Sequence, residues 1–201
     1  YKRQALTAPG ADFEVTTTNV RGVDIKTYAN ALTNLRDAWV STAAYAEREY
    51  IVYEDERLTY AQAHEHVNSL GNWLIGQGVQ PGDRVAIAMR NYPEWILSYW
   101  AILSVGATVV GMNAWWTGPE MLYALEDSTP KAIIADEERL ATLNSIRAKL
   151  ANLVVIGVRV PGSPADVTPW SDVIADPTPM PEIAIDCLLY TSPSPRDGTK
   201  S

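Results

Sequence analysis

The sequence predicts an α/β fold, a mostly parallel sheet flanked by helices. Three observations predict it. Between residues 59 and 157, short β-branched runs alternate with segments of helical period. The strand runs are apolar on both faces, as strands covered by helices on either side are. Capping residues spaced three apart stand just ahead of the helical segments.

The elements follow in order. Residues 25–47 read as one long amphipathic helix with Leu32, Leu35 and Trp39 inward. Residues 51–53 and 57–58 flank Glu54-Asp55-Glu56 as a small hairpin. Thr59, with Gln62 as its reciprocal partner, caps a helix over 60–77 that buries Ala63, Val67, Leu70 and Leu74. Gly76 and Gly78 stand where it ends, and Pro81-Gly82 suits a tight turn. Residues 84–89 form the next strand. Asn91 and Glu94 read as a second capping pair, for a helix that Gly106 stops. Residues 107–112 are a buried strand. Thr117 and Glu120 cap a helix burying Met121, Leu122 and Leu125. Residues 131–135 are a strand, Asp136 caps the helix carrying Leu140, Leu143 and Leu150, and 153–157 are a further strand. Six of the 13 prolines then fall between 161 and 181, which predicts an ordered excursion or connector with a helical turn at 170–174.

Composition bounds the function. The chain has 201 residues, 47% hydrophobic and 20% charged, which argues against disorder and against a coiled coil. A chain of this length buries roughly 70% of its extended surface. Net charge is −8, against a nucleic-acid partner, since phosphate binding calls for surplus Lys and Arg. Cys187 is the one cysteine, so no intramolecular disulfide forms, and a reducing, cytoplasmic location is expected. No apolar stretch follows Lys2-Arg3, so no secretory signal is read. Residues 95–119 lack charge, yet Gly106 and the β-branched run after it predict a buried helix and strand instead of a membrane span.

Several chemistries fail on their motifs. No Gly-x-Gly-x-x-Gly follows a strand. Gly106 and Gly111 have the spacing of a phosphate loop, but Met112-Asn113 stands where Lys-Ser or Lys-Thr is needed. His64 and His66 flank Glu65, and helix residues two apart point to different sides, so no metal site is expected. No Gly-x-Ser-x-Gly elbow exists, and Cys187 reads as an inert thiol. Trp115-Trp116, between a buried strand and a capped helix, is the candidate substrate-binding pair. It reads either as the wall of an apolar ligand pocket or as packing under the loop.

An ordered series of motifs carries a resemblance. Leu58-Thr59-Tyr60, Asn68-Ser69-Leu70, residues 78–86 from Gly-Val-Gln-Pro-Gly-Asp onward, Asn91-Tyr92-Pro93-Glu94-Trp95, residues 101–107, Asn113, Glu120-Met121 and Leu125-Glu126-Asp127-Ser128 stand in register. Over about 29–156 the chain resembles the N-terminal part of the AMP-forming, adenylate-forming synthetases, nearest to the acyl-CoA synthetases. The resemblance implies that a carboxylate attacks the α-phosphate of Mg-ATP, an acyl-adenylate forms with release of pyrophosphate, and coenzyme A takes the acyl group. It implies ATP, Mg²⁺ and coenzyme A as cofactors and a fatty or other apolar carboxylic acid as substrate. It places nearly all catalytic parts downstream, so no catalytic residue is assigned in this chain.

The family's phosphate loop, Tyr-Thr-Ser-Gly-Thr-Thr-Gly-x-Pro-Lys-Gly, begins here as Tyr190-Thr191-Ser192 and then departs. Pro193 and Pro195 offer no N–H to phosphate and fix φ near −65°. Thr191 and Ser192 alone keep the motif's hydroxyls, a remnant of ATP phosphate binding. The expected organisation is a lead-in over 1–24, the N-terminal portion of the synthetase domain over 25–185, and a divergent tail over 186–201 that reads as a join to foreign sequence. Tyr1 in place of Met agrees with a truncated fragment, expected to be inactive alone. The alternative is a stand-alone noncatalytic α/β domain binding a ligand or partner.

Overall fold

The fold was described from a computed structural model, which covers residues 5–185 except Arg21, Thr33, Ala151 and Ser163. Its centre is a five-stranded, all-parallel sheet. The strands are β5 (Arg84–Ala88), β6 (Thr108–Gly111), β7 (Ala132–Asp136), β8 (Val154–Val158) and the short β9 (Thr168–Pro169). Their spatial order is β6-β5-β7-β8-β9. The first strand of this sheet along the chain therefore lies inside it, with the second on one side and the third on the other.

Alternate residues of each strand feed two separate cores. Val85, Ile87, Ile134, Ile156 and Val158 join one, with α2 (Tyr60–Gly76) and α3 (Pro93–Ser104). Ala86, Ala88, Ile133, Ala135 and Val155 join the other, with α4 (Gly118–Ser128) and α5 (Glu137–Ile146). Strands so placed bury both faces, which is why their sequences run apolar without alternation.

The capping pairs are in place at three helices. Thr59 accepts from the Gln62 N–H at 3.3 Å, while Gln62 accepts from the Thr59 N–H at 2.9 Å. Thr117 and Glu120 form the same reciprocal box, and Asp136 accepts from the Arg139 N–H at 3.0 Å. The Asn91–Glu94 pair does not form. Tyr92 is the residue ahead of α3 and makes no side-chain cap, Pro93 starts the helix, and Glu94 turns to Arg159 instead. A pre-set φ and a missing N–H make proline a helix opener that leaves one donor fewer to cap.

The long helix expected over 25–47 is not present. Val23–Tyr28 is strand β2, antiparallel to β1 (Val15–Val20). Helix α1 is confined to Leu35–Ser41, where Asn34 caps it by accepting the Asp37 N–H at 2.9 Å. Thr16, Thr18, Val20, Val23, Ile25 and Thr27 share one face of the β1–β2 ribbon, and their β-branching favours the extended chain. Leu32 and Leu35 are exposed, whereas Trp39 is buried between the rings of His64 and Trp100 at 4.2 and 5.2 Å. The small hairpin is present as β3 (Glu49–Tyr53) and β4 (Glu56–Thr59), and the late turn is α6 (Trp170–Val173). Leu122 is half-buried, and Leu150 falls beyond the end of α5.

One side chain ties the layers together. Arg159 follows β8 with its backbone left-handed, φ 53°. Its two Nη atoms each donate at 2.8 Å to the Glu56 carboxylate of β4, and its Nε donates at 3.0 Å to Glu94 of α3. The guanidinium also lies 5.3 Å over Tyr53 and 4.9 Å over Tyr92. Hydrogen bonding to Arg159 holds the Glu56 carboxyl below its ordinary value, and Glu56 in turn holds the guanidinium proton more tightly.

Arg159→Met is expected to lower the unfolding free energy by about 1–3 kcal/mol, because it leaves Glu94 buried without its cation. Urea unfolding measures this. A lowered carboxyl pKa stabilises the fold above the ordinary value of 4.5, and the benefit is lost as pH falls through the folded value. The gap between wild type and variant should therefore narrow below about pH 4.5. A gap constant from pH 7 to pH 3 would remove the clamp from the account.

Candidate functional site

In an open parallel sheet, ligands bind outside the carboxyl ends of the strands where the winding reverses. Here that point lies between β5 and β7, since the chain passes from β5 to β6 on one side and then returns to β7 on the other. A cleft of about 320 Å³ opens beside this point, between the loops that follow β5 and β6. Met89, Arg90, Asn91 and Trp95 line it from the β5 side, and Met112, Ala114 and Trp115 from the β6 side.

Asp136, the last residue of β7, organises the cleft. Its side chain is buried and accepts from the backbone N–H of Arg90 at 2.9 Å and of Arg139 at 3.0 Å. It also receives the Arg139 guanidinium at 3.2 Å. Arg139 is itself only 4% exposed, reaches Glu138 at 2.7 Å, and donates from Nε to the carbonyl of Ala114 at 2.7 Å. The carboxylate thus fixes the loop after β5, and its arginine fixes the loop after β6.

Trp115 stands on the rim. Its backbone N–H donates to Asn113 Oδ1 at 2.9 Å, and the guanidinium carbons of Arg90 and Arg139 lie 5.3 and 5.7 Å from its ring centroid. The indole is 74% exposed. An exposed indole beside the exposed Arg90 suits a flat ligand that carries negative charge, whereas Arg139 is taken up by Asp136 and Glu138. Asp136 is saturated with donors, so it is a scaffold group and not a proton acceptor for chemistry.

The two tryptophans serve different surfaces. Trp116 is half-buried against the second core and lines an apolar groove of about 590 Å³ with Val110, Pro119, Tyr123 and Ala124. The sequence placed both in one pocket wall or beneath one loop; the structure turns one to a cationic cleft and the other to an apolar groove. Thr191, Ser192 and Cys187 lie outside the described residues. His64 stacks on Trp39 and meets Thr42 Oγ1 at 3.0 Å, and burial pushes both His64 and His66 below the ordinary histidine pKa. Among the described residues, no group of three or more His, Cys, Asp or Glu is placed to hold a metal ion. No helix among them is long and apolar enough to cross a membrane.

Arg90 and Arg139 escaped the sequence reading. Asp136 was legible only as a helix cap. A usable signal was present: Arg139 is a charged residue at a position whose neighbours Leu140 and Leu143 face the core. A buried arginine needs a buried acid, and the cap residue three positions earlier is one.

Comparison with known proteins agrees with this architecture. Residues 38–194 match the family model of the AMP-binding enzymes. A medium/long-chain-fatty-acid and 3-oxocholest-4-en-26-oate CoA ligase of Mycobacterium marinum is 30% identical over 146 residues, which are 70% of this chain and 26% of that protein. A crotonobetaine/carnitine CoA ligase of Salmonella typhimurium is 27% identical over 138 residues, 64% of this chain and 27% of that protein. The crystal structure of an anthranilate CoA ligase in complex with anthranoyl-AMP superposes with a TM-score of 0.69 at 27% identity, covering 73% of this chain and 29% of that one. The chain therefore spans between a quarter and a third of the length of these relatives.

The split between the tryptophans is measurable. Trp115→Ala is expected to cost about 0.5–1 kcal/mol, the loss of exposed cation–π contacts. Trp116→Ala should cost about 2 kcal/mol or more, since it opens a void against the second core. Urea midpoints report both, and the reverse ranking would show that Trp115 is the packing residue.

Proposed function

Because the chain belongs to the AMP-binding enzyme family, we propose that it is the N-terminal portion of an ATP-dependent acid–thiol ligase. The complete enzyme joins a carboxylic acid, fatty or otherwise apolar, to coenzyme A through an acyl-adenylate. The family match over residues 38–194 carries this reading. The anthranoyl-AMP held by a structural relative is an acyl-adenylate, the intermediate that such a reaction needs.

The cleft geometry suggests a division of labour. The Trp115 face and the Arg90 guanidinium take a flat, anionic group, and ATP and coenzyme A both carry an adenine ring with phosphates. The groove beside Trp116 is apolar and of a size that accepts an acyl chain. Arg139 and Asp136 position these surfaces without touching ligand. Bound Mg²⁺ would offset phosphate charge. No group of acids among the described residues suits it, so its ligands are assigned to the rest of the enzyme. Thr191 and Ser192 supply hydroxyls but lack the glycine-rich backbone donors that cradle phosphate. The acidic balance and single cysteine favour the cytoplasm.

Carboxylate-dependent exchange of pyrophosphate into ATP tests the proposal. The 201-residue chain should show none with any acid. A protein extended to the length of the relatives should show it with medium- or long-chain acids. Exchange by the short chain would overturn its inactivity, and none by the extended protein across a broad acid panel would overturn the ligase reading.

A further inference from the structure

Gly71 is an oddity of α2. It lies in the interior of the helix and is buried, where glycine is less favourable than alanine. Its surroundings supply the reason. A methyl group at Gly71 would overlap Sδ of Met180 and come within 3.0 Å of its Cγ. The missing side chain is a notch, and the Met180 thioether fills it.

Met180 belongs to the irregular segment after α6, which crosses α1 and α2. Two side chains hold that segment by its carbonyls. Asn72 Nδ2 donates to the Thr178 carbonyl at 2.6 Å. Arg36 Nη2 donates to the Pro181 carbonyl at 2.7 Å while its Nη1 reaches the Ser104 carbonyl at 3.2 Å. Pro177, Pro179 and Pro181 have no N–H, so one edge of the segment offers no ladder donors. Met180 and Ile183 pack against the first core. Two hydrogen bonds and two apolar side chains hold this segment, few enough for it to open without the sheet.

The four methionines differ in access. Met89, Met112 and Met121 are 3%, 6% and 0% exposed, whereas Met180 is only partly buried. A peroxide therefore meets Met180 first. One peroxide oxygen is transferred to the sulfur as the O–O bond breaks; the thioether is oxidised to a sulfoxide and hydrogen peroxide is reduced to water. The polar sulfoxide oxygen adds bulk and a dipole to a thioether that already fills the space left by Gly71 and packs on the first core.

We propose that residues 177–183 form a strap latched by Met180 in the Gly71 notch, and that oxidation of Met180 to the sulfoxide releases it.

Cleavage of the folded 201-residue chain by a glutamate-specific protease after Glu182 tests this. With hydrogen peroxide, mass spectrometry should place the first oxygen on Met180, and cleavage should accelerate by about tenfold. Methionine sulfoxide reductase should restore resistance. Met180→Leu should keep the resistance and lose the peroxide response, while Gly71→Ala should be cleaved rapidly without peroxide. Far-UV circular dichroism should confirm an intact sheet in each case. Unchanged cleavage after Met180 is oxidised overturns the proposal. So does an equal peroxide response in Met180→Leu, or a Met180 that stays unoxidised while free methionine reacts.

Discussion

Asp136 stands where a strand ends, a helix begins and two loops meet. Its carboxylate is removed from water and surrounded by donors: two backbone N–H groups and the Arg139 guanidinium. Arg139 is equally buried and equally dependent on its acid. Losing one partner of such a pair strands the other, at a cost of about 3–5 kcal/mol. The geometry at the switch point follows from this. One oxygen holds the β5 loop by Arg90, the arginine holds the β6 loop by Ala114, and Trp115 is presented between them.

The Arg159 clamp works at a second level. Asp136 organises loops within the sheet, whereas Arg159 joins the sheet to what lies outside it. Hairpin β3–β4 is a two-stranded unit, which is marginal alone in water. A bidentate arginine with two aromatic rings beneath it gives the hairpin a fixed seat. The clamp, the Asp136 cluster and the Met180 notch share one logic: each fixes an irregular segment through a few side chains.

The parallel sheet was legible because its signals are local. Val85 to Ala88, Ala132 to Ala135 and Val154 to Val158 are short apolar runs, and the caps at Thr59, Thr117 and Asp136 need only neighbours three residues away. The failures were non-local. At 25–47 a few apolar residues satisfied helical spacing, but Asn34 starts a new helix there and the threonines upstream favour pairing with β2. At Glu94 a reasonable capping role lost to Arg159, which lies far along the chain. The cleft was only half visible: Trp115 stood out by type, yet the two cations on it, Arg90 and Arg139, come from two separate elements that only the fold brings together.

The strand order has a consequence for how the molecule is made. β5 leaves the ribosome before any other strand of the sheet and takes an interior position, and β6 then closes one side of it. From there every strand arrives at an edge that already exists: β7 at β5, β8 at β7, β9 at β8. No later strand has to be inserted between two that are already paired. Growth of the sheet and growth of the chain run in the same direction, so the exposed edge at any moment is the one awaiting the next segment synthesised.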